Sequence, residues 1–203
     1  MNWTNPRKLV AGVAMATALS TLAFALPAQA ATLRMAWSQD ATGLDPHKQT
    51  AFSSLRLLEL IYEPLVRLDA QLNIVPAIAT SWEFSADAKT LTFKLDPNAK
   101  FTNGASVTPA DVKASFERIL DEANSAASRS NFLSIASIDT PDDATVVFNL
   151  STADVPILAS MATINAAIVP ASEITAGSIG TTALGSGPFK LDSWEPNARE
   201  VLS

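Results

Sequence analysis

Between Thr90 and Leu120 the spacing of apolar residues changes from two to nearly four, and a single turn makes the change. In "TLTFKLD", Leu91, Phe93 and Leu95 alternate with Thr92 and Lys94, the pattern of a strand with one buried face. The turn is Asn103-Gly104, a dipeptide whose residues both tolerate positive φ. Beyond it Val112, Phe116, Ile119 and Leu120 recur at i, i+4, i+7 and i+8 and predict an amphipathic helix. The pattern assigns Asp111, Lys113, Glu117 and Arg118 to its polar side. The helix start is specified several times over: Thr108 as N-cap, Pro109 at the first helical position where a missing N–H costs nothing, and Asp111 facing the positive end of the dipole. Val107 and Val112 hold the two positions of a hydrophobic staple. A hairpin is thus joined to a helix, and the fold class is α+β.

The rest of the chain repeats this grammar. "TLRMAWS" (32–38) predicts a buried strand, "QDATGLDPHKQT" a polar loop, and "AFSSLRLLELIYEPL" an amphipathic helix stopped by Pro64. "SWEFS" pairs with "TLTFKLD" across a turn at "ADAK". After the loop "DEANSAASRSN", "SIASID" and "TVVFNL" predict a second hairpin across "TPDDA", with Val146, Phe148 and Leu150 on the buried face. "ADVPILASMAT" predicts a helix with Pro156 in its first turn, and "AAIVP" a short apolar strand or turn. "TTALGSGPFKLDSWEP" predicts a Gly-rich turn and a strand, and "NAREVLS" opens a return strand at which the sequence stops, as expected of a fragment.

The first thirty residues predict an export signal removed after Ala30. Arg7 and Lys8 supply its basic start, "LVAGVAMATALSTLAFAL" its apolar stretch, and Ala28-Gln29-Ala30 its small-x-small cleavage site. No adjacent arginines call for the twin-arginine route. Cleavage takes Arg7 and Lys8 from the 14 basic residues and none of the 20 acidic ones, giving a net charge of about −8. That balance argues against nucleic acid or an anionic membrane as partner. With no cysteine, disulfides and a thioether lipid anchor are excluded, and the fold rests on its apolar core. The expectation is a soluble, periplasmic, monomeric product.

Resident chemistry is scarce. One histidine and no cysteine leave little for a zinc site or a Cys/His nucleophile, and no cofactor or metal is expected. No G-x-S-x-G elbow accompanies His47, which "GLDPHK" marks as a hydrogen-bonded loop residue. "GSGPF" (185–189) is no phosphate loop, because no Lys-Ser/Thr follows and Pro188 begins a strand; its glycines predict close backbone approach. Trp37, Trp82 and Trp194 sit in or beside apolar strands, where core packing is expected over ligand stacking. The residues alone therefore indicate binding rather than catalysis.

The order of the pieces adds more. "TGLDPHKQT", the run "LLELIYEPLVRLDAQLNIVPAIATSWEFSADAKTLTFKLDPNAKFTNGASVTPADVKASFERIL" and "GSGPFKL" resemble the extracellular solute-binding proteins of family 5, the periplasmic dipeptide, oligopeptide and nickel receptors of ABC importers. The resemblance covers 32–203 and is most specific from Ser81 to Leu120. It implies a type II-like periplasmic binding protein of two lobes that close on a ligand, with this chain similar to the N-terminal lobe alone. Residues 32–62 and 169–203 would belong to domain Ia and 63–168 to domain Ib, while the second lobe is missing. It further implies that a segment after Leu-Asp-Pro-His pairs with bound peptide as an added strand; carried over, this is Thr50, Ala51 and Phe52. By the same resemblance the loop after the capped helix, "SAASRSNF", would bring Arg129 or its neighbours near the cleft, either to pair with a ligand carboxylate or as a solvated loop arginine. The partners implied are a peptide or other small solute and an ABC permease with its ATPase. A sensory binding module that reports to a membrane receptor fits the same residues, and an exported hydrolase would need catalytic groups downstream.

Overall fold

The computed structural model describes residues 32–203, so the expected export signal lies outside the described residues. Two units divide them, 32–36 and a body from Trp37 to Ser203. The buried strand expected over 32–38 does not form: Leu33, Met35 and Trp37 are exposed, and no strand among the described residues pairs with this stretch. A strand exists through its ladder bonds to a neighbour, so an alternating pattern without one stays merely extended. Nor is Trp37 a core residue, since the Arg56 guanidinium lies 4.0 Å over its ring.

The body begins with α1 (Phe52–Ile61), followed by the small hairpin β1 (Val66–Leu68) and β2 (Ile74–Pro76). β3 (Ala79–Phe84), β4 (Thr90–Leu95), β5 (Ile135–Asp142) and β6 (Thr145–Leu150) form one antiparallel sheet in the order β3-β4-β6-β5. Both expected hairpins are present, the first with Trp82 opposite Phe93 and Phe84 opposite Leu91. β5 runs further than expected, through Pro141 to Asp142. Its edge position explains why, because a proline there withholds no bond from an interior ladder.

α2 (Pro109–Leu120) crosses this sheet with its apolar stripe inward. Phe116 meets Phe148 and Phe132 edge to face at 4.9 and 5.3 Å, and Phe148 meets Phe93 at 5.7 Å. Each such side chain stabilises the fold by roughly 1.5–3 kcal/mol through burial, with edge-to-face geometry adding to it. The start of α2 is a capping box: Thr108 Oγ1 accepts from the Asp111 N–H, and Asp111 Oδ2 accepts from the Thr108 N–H.

Beyond the sheet, the helix expected over 153–163 shrinks to α3 (Ile157–Ser160). Asn165, just past it, is turned to bond the 46–49 loop instead. "AAIVP" is fully buried without joining a sheet, because other groups satisfy its backbone: Ile168 N–H donates to the Glu63 carbonyl, and Val169 N–H to Ser115 Oγ. α4 (Ala171–Ala176) and α5 (Ile179–Thr182) lead to the terminal hairpin β7 (Leu191–Glu195) and β8 (Arg199–Leu202). Gly187 N–H donates to the Ile61 carbonyl at 2.8 Å, and a Cβ at either Gly185 or Gly187 would overlap that peptide group. Two apolar cores result. One gathers residues from Leu65 to Ile168 around the sheet and α2; the other packs α1 with Ala41, Leu44, Ile164, Ala167, Val169, Ile179 and Ala183.

Candidate ligand-binding site

The loop ahead of α1 is held from several sides. Asp45 begins it: its carbonyl accepts from Lys48 and Gln49 N–H, and its carboxylate from the His47 N–H. Arg118 on α2 reaches across, donating to Asp45 Oδ1 at 3.1 Å and Oδ2 at 2.5 Å, and to His47 Nδ1 at 2.7 Å. A guanidinium only donates, so Nδ1 accepts; the imidazole proton then sits on Nε2, which donates to the Ala167 carbonyl at 2.9 Å. Burial pushes the His47 imidazole down to about 4, and the Arg118 charge works in the same direction. On the other side Asn165 Nδ2 donates to the Pro46 and Gln49 carbonyls at 2.7 and 2.9 Å, and the Ala127 N–H donates to the His47 carbonyl at 2.8 Å.

This bracket delivers Thr50, Ala51 and Phe52. Thr50 and Phe52 are exposed, Phe52 at 76%. The Ala51 carbonyl accepts from Ser54 and Leu55 and so starts α1. Among the described residues, the Thr50 N–H, the Thr50 carbonyl and the Ala51 N–H have no hydrogen-bond partner. They face no ladder of their own and can pair with an added strand.

Beside the segment opens a cleft of about 640 Å³, lined among others by Asp40, Thr42, Ala51, Ser53, Trp194 and Asn197. Asp40 ties the tip of the terminal hairpin into its wall, accepting from the Asn197 N–H at 2.6 Å and from Trp194 Nε1 at 3.2 Å. The Asn197 N–H leads in holding the Asp40 carboxyl below its usual range, whereas burial and then the Asp40 carboxylate raise Glu200. Trp194 is therefore half-buried with its indole committed, not a free stacking platform.

Arg129 stands on the loop after α2, which meets the bracket through Ala127. Its Nε donates to the Leu120 carbonyl at 2.7 Å and its NH2 to Glu122 at 2.9 Å, so it closes the end of α2. The structure thus brings Thr50, Ala51 and Phe52 together and gives Arg129 protein partners on a separate loop. Arg118, Asn165 and Asp40 were not singled out by sequence as site residues. Arg118 follows Ser115 by three positions and shares its face, but a pattern of apolar residues carries no mark for that.

Among the described residues, no three or more His, Cys, Asp or Glu side chains converge as they would around a metal ion. No described helix is long and apolar enough to cross a membrane.

Against this geometry, residues 73–203 match the family described as "Bacterial extracellular solute-binding proteins, family 5 Middle". The chain is 33% identical over 193 residues to the glutathione-binding protein GsiB of Escherichia coli K12, covering 93% of this chain and 36% of that protein. It is 39% identical over 132 residues to the "Probable D,D-dipeptide-binding periplasmic protein DdpA" of the same strain, covering 62% of this chain and 25% of that one. Among solved structures, the binding protein AgaA of A. tumefacien R10, in complex with agropinic acid, superposes with TM-score 0.78 at 37% identity, covering 81% of this chain and 34% of AgaA. The substrate-binding domain of an oligopeptide ABC transporter from Bacillus anthracis gives TM-score 0.77 at 26% identity, with 83% and 36% covered.

The fold is that of part of a periplasmic binding protein. The chain belongs to the bacterial extracellular solute-binding proteins of family 5, and it spans about a quarter to a third of the length of the relatives named here.

Proposed function

We propose that the chain forms the N-terminal lobe of a periplasmic receptor of an ABC importer, binding a peptide or a similar small solute that a permease and its ATPase then take up. Residues 32–62 and 169–203 make its domain Ia and 63–168 its domain Ib, a division supported by the two apolar cores apart from Ile164 and Ala167, which pack with α1. It works by binding rather than catalysis, as befits a glutathione-binding relative, a probable D,D-dipeptide-binding one and a binding protein in complex with agropinic acid.

One observation carries the reading: the Thr50 N–H and carbonyl and the Ala51 N–H, without partners among the described residues, presented beside an open cleft. A peptide laid along them gains main-chain bonds on this lobe, and contact with a second lobe raises the population of the closed state.

Ala51→Pro tests this. Ala51 has φ −68°, which proline shares, so the substitution removes an N–H without bending the chain. Titration calorimetry with alanyl-alanine, D-alanyl-D-alanine and glutathione is expected to show about tenfold weaker binding in the intact receptor, the worth of a strong net hydrogen bond. Ala51→Gly, which keeps the donor, should lose much less. Equal affinity of Ala51→Pro and the parent would remove the strand-addition reading.

A further inference from the structure

The edge at 50–52 has no ladder to keep it straight, yet it must meet a ligand in one geometry. What fixes it lies behind it, in the polar contacts of loop 45–49 with α2 and Asn165. We propose that Arg118 is the positioning residue of this edge and that, with Asn165, it holds loop 44–49 so that Thr50, Ala51 and Phe52 are presented ready for strand addition. The proposal rests on the binding reading above and adds to it the residues that set the edge's geometry.

Three features of the structure carry it. First, the Arg118 fork is directed inward: two bonds to the Asp45 carboxylate and one to His47, with the Arg118 side chain 10% and the Asp45 side chain 12% exposed. Only a planar fork reaches both partners together; a lysine in the same place would hold one of them as a point charge. Second, the fork is chained onward, because His47 passes the restraint to the Ala167 carbonyl between the two cores. The loop is thereby fixed to α2 and to the 164–169 segment at once. Third, Asn165 donates from one amide to the Pro46 and Gln49 carbonyls, the second of these one residue from Thr50. Between the two clamps, loop residues 45–49 have almost no freedom left, and Ala51 is caught on its far side by α1.

Such pre-ordering has a direct effect on affinity, since a segment in the binding geometry only a tenth of the time weakens the observed affinity tenfold. Ordering residues in advance lowers what the ligand must otherwise offset.

The test combines two readouts in the intact receptor carrying Arg118→Lys or Asn165→Ala. Hydrogen exchange reports Lys48 and Gln49, whose amides donate to the Asp45 carbonyl, and Ser54 and Leu55, which donate to Ala51. Calorimetry reports affinity for whichever of alanyl-alanine, D-alanyl-D-alanine or glutathione binds the parent. We expect exchange at 48–55 to rise about tenfold or more while Phe116, Ile119 and the sheet stay protected, and binding to weaken about tenfold well below the melting temperature. A merely structural arginine would instead speed exchange throughout α2 and the sheet, and would leave the affinity of the folded protein alone; either result overturns the proposal. If Arg118→Lys does not fold, Asn165→Ala, at a half-buried position, decides alone. If none of the three compounds binds the parent, the peptide reading fails, and the exchange pattern still decides whether Arg118 orders the edge.

Discussion

His47 sits fully buried between a guanidinium and a carbonyl, and Nδ1 can accept from Arg118 only while the ring is neutral. Its folded pKa, about 4, lies below the ordinary 6.5, so the unfolded chain binds the proton more readily. The stability this represents is therefore fully present above about pH 6.5 and is lost as pH falls toward 4, by roughly 3 kcal/mol. The groups facing it are Asp45, whose charge opposes the shift, and Arg118, whose charge favours it. We expect denaturant unfolding at pH 7, 6, 5 and 4 to show this loss, and His47→Gln to lose much less of its own pH 7 stability over the same range. The exposed Asp69, Asp87 and Asp142, also held low by hydrogen bonds, add a slope common to both proteins. An identical slope with and without His47 would show that the histidine is not the titrating group. The turn around this residue was legible in "GLDPHK", but its partners were not, because Arg118 lies 71 positions away and Ala167 lies 120.

At the scale of elements, α2 shows what local sequence can and cannot state. Its cap, staple and stripe were all readable, since each depends on residues within two turns of one another. The second task of Asp111 was not: Oδ1 accepts from the Ala171 N–H at 2.8 Å and thereby sets the start of α4. Thr108→Ala should therefore cost about 1 kcal/mol, while Asp111→Ala should cost visibly more, because it frees donors at two helix starts. Chemical denaturation of the pair measures the difference, and equal losses would mean that the bond to Ala171 contributes nothing. The expected elements that did not form had a common cause. "TLRMAWS" and, in its strand alternative, "AAIVP" carry strand-like apolarity, but pairing is a property of neighbours, and the second segment leaves a turn and finds a side chain and a carbonyl instead of a strand. "GSGPF" was legible as a close approach, though not that the surface approached is the end of α1.

For the whole molecule, about a quarter to a third of the length of the relatives named above is present here, and the proposed mechanism needs two lobes to grip one ligand. Under the mechanism proposed above, the 203-residue chain should bind a peptide far more weakly than the intact receptor, by on the order of a hundredfold or more, because one lobe alone offers no second surface to select the closed state. Calorimetry on both proteins under one buffer checks this, and comparable affinities would mean that the first lobe suffices. The ordering of strands was open to a sequence reader only pair by pair; that β4 lies against β6, across α2, β5 and the loops between them, needed the structure. The outer strand of that sheet bears on solubility in a crowded compartment. A neighbouring molecule can propagate a sheet only by matching an unbroken row of donors, and at Pro141 the edge of β5 has none to give. Aggregation along that border is discouraged at the same position, because a visiting strand meets a gap in the row of donors before it can become the first layer of a fibre.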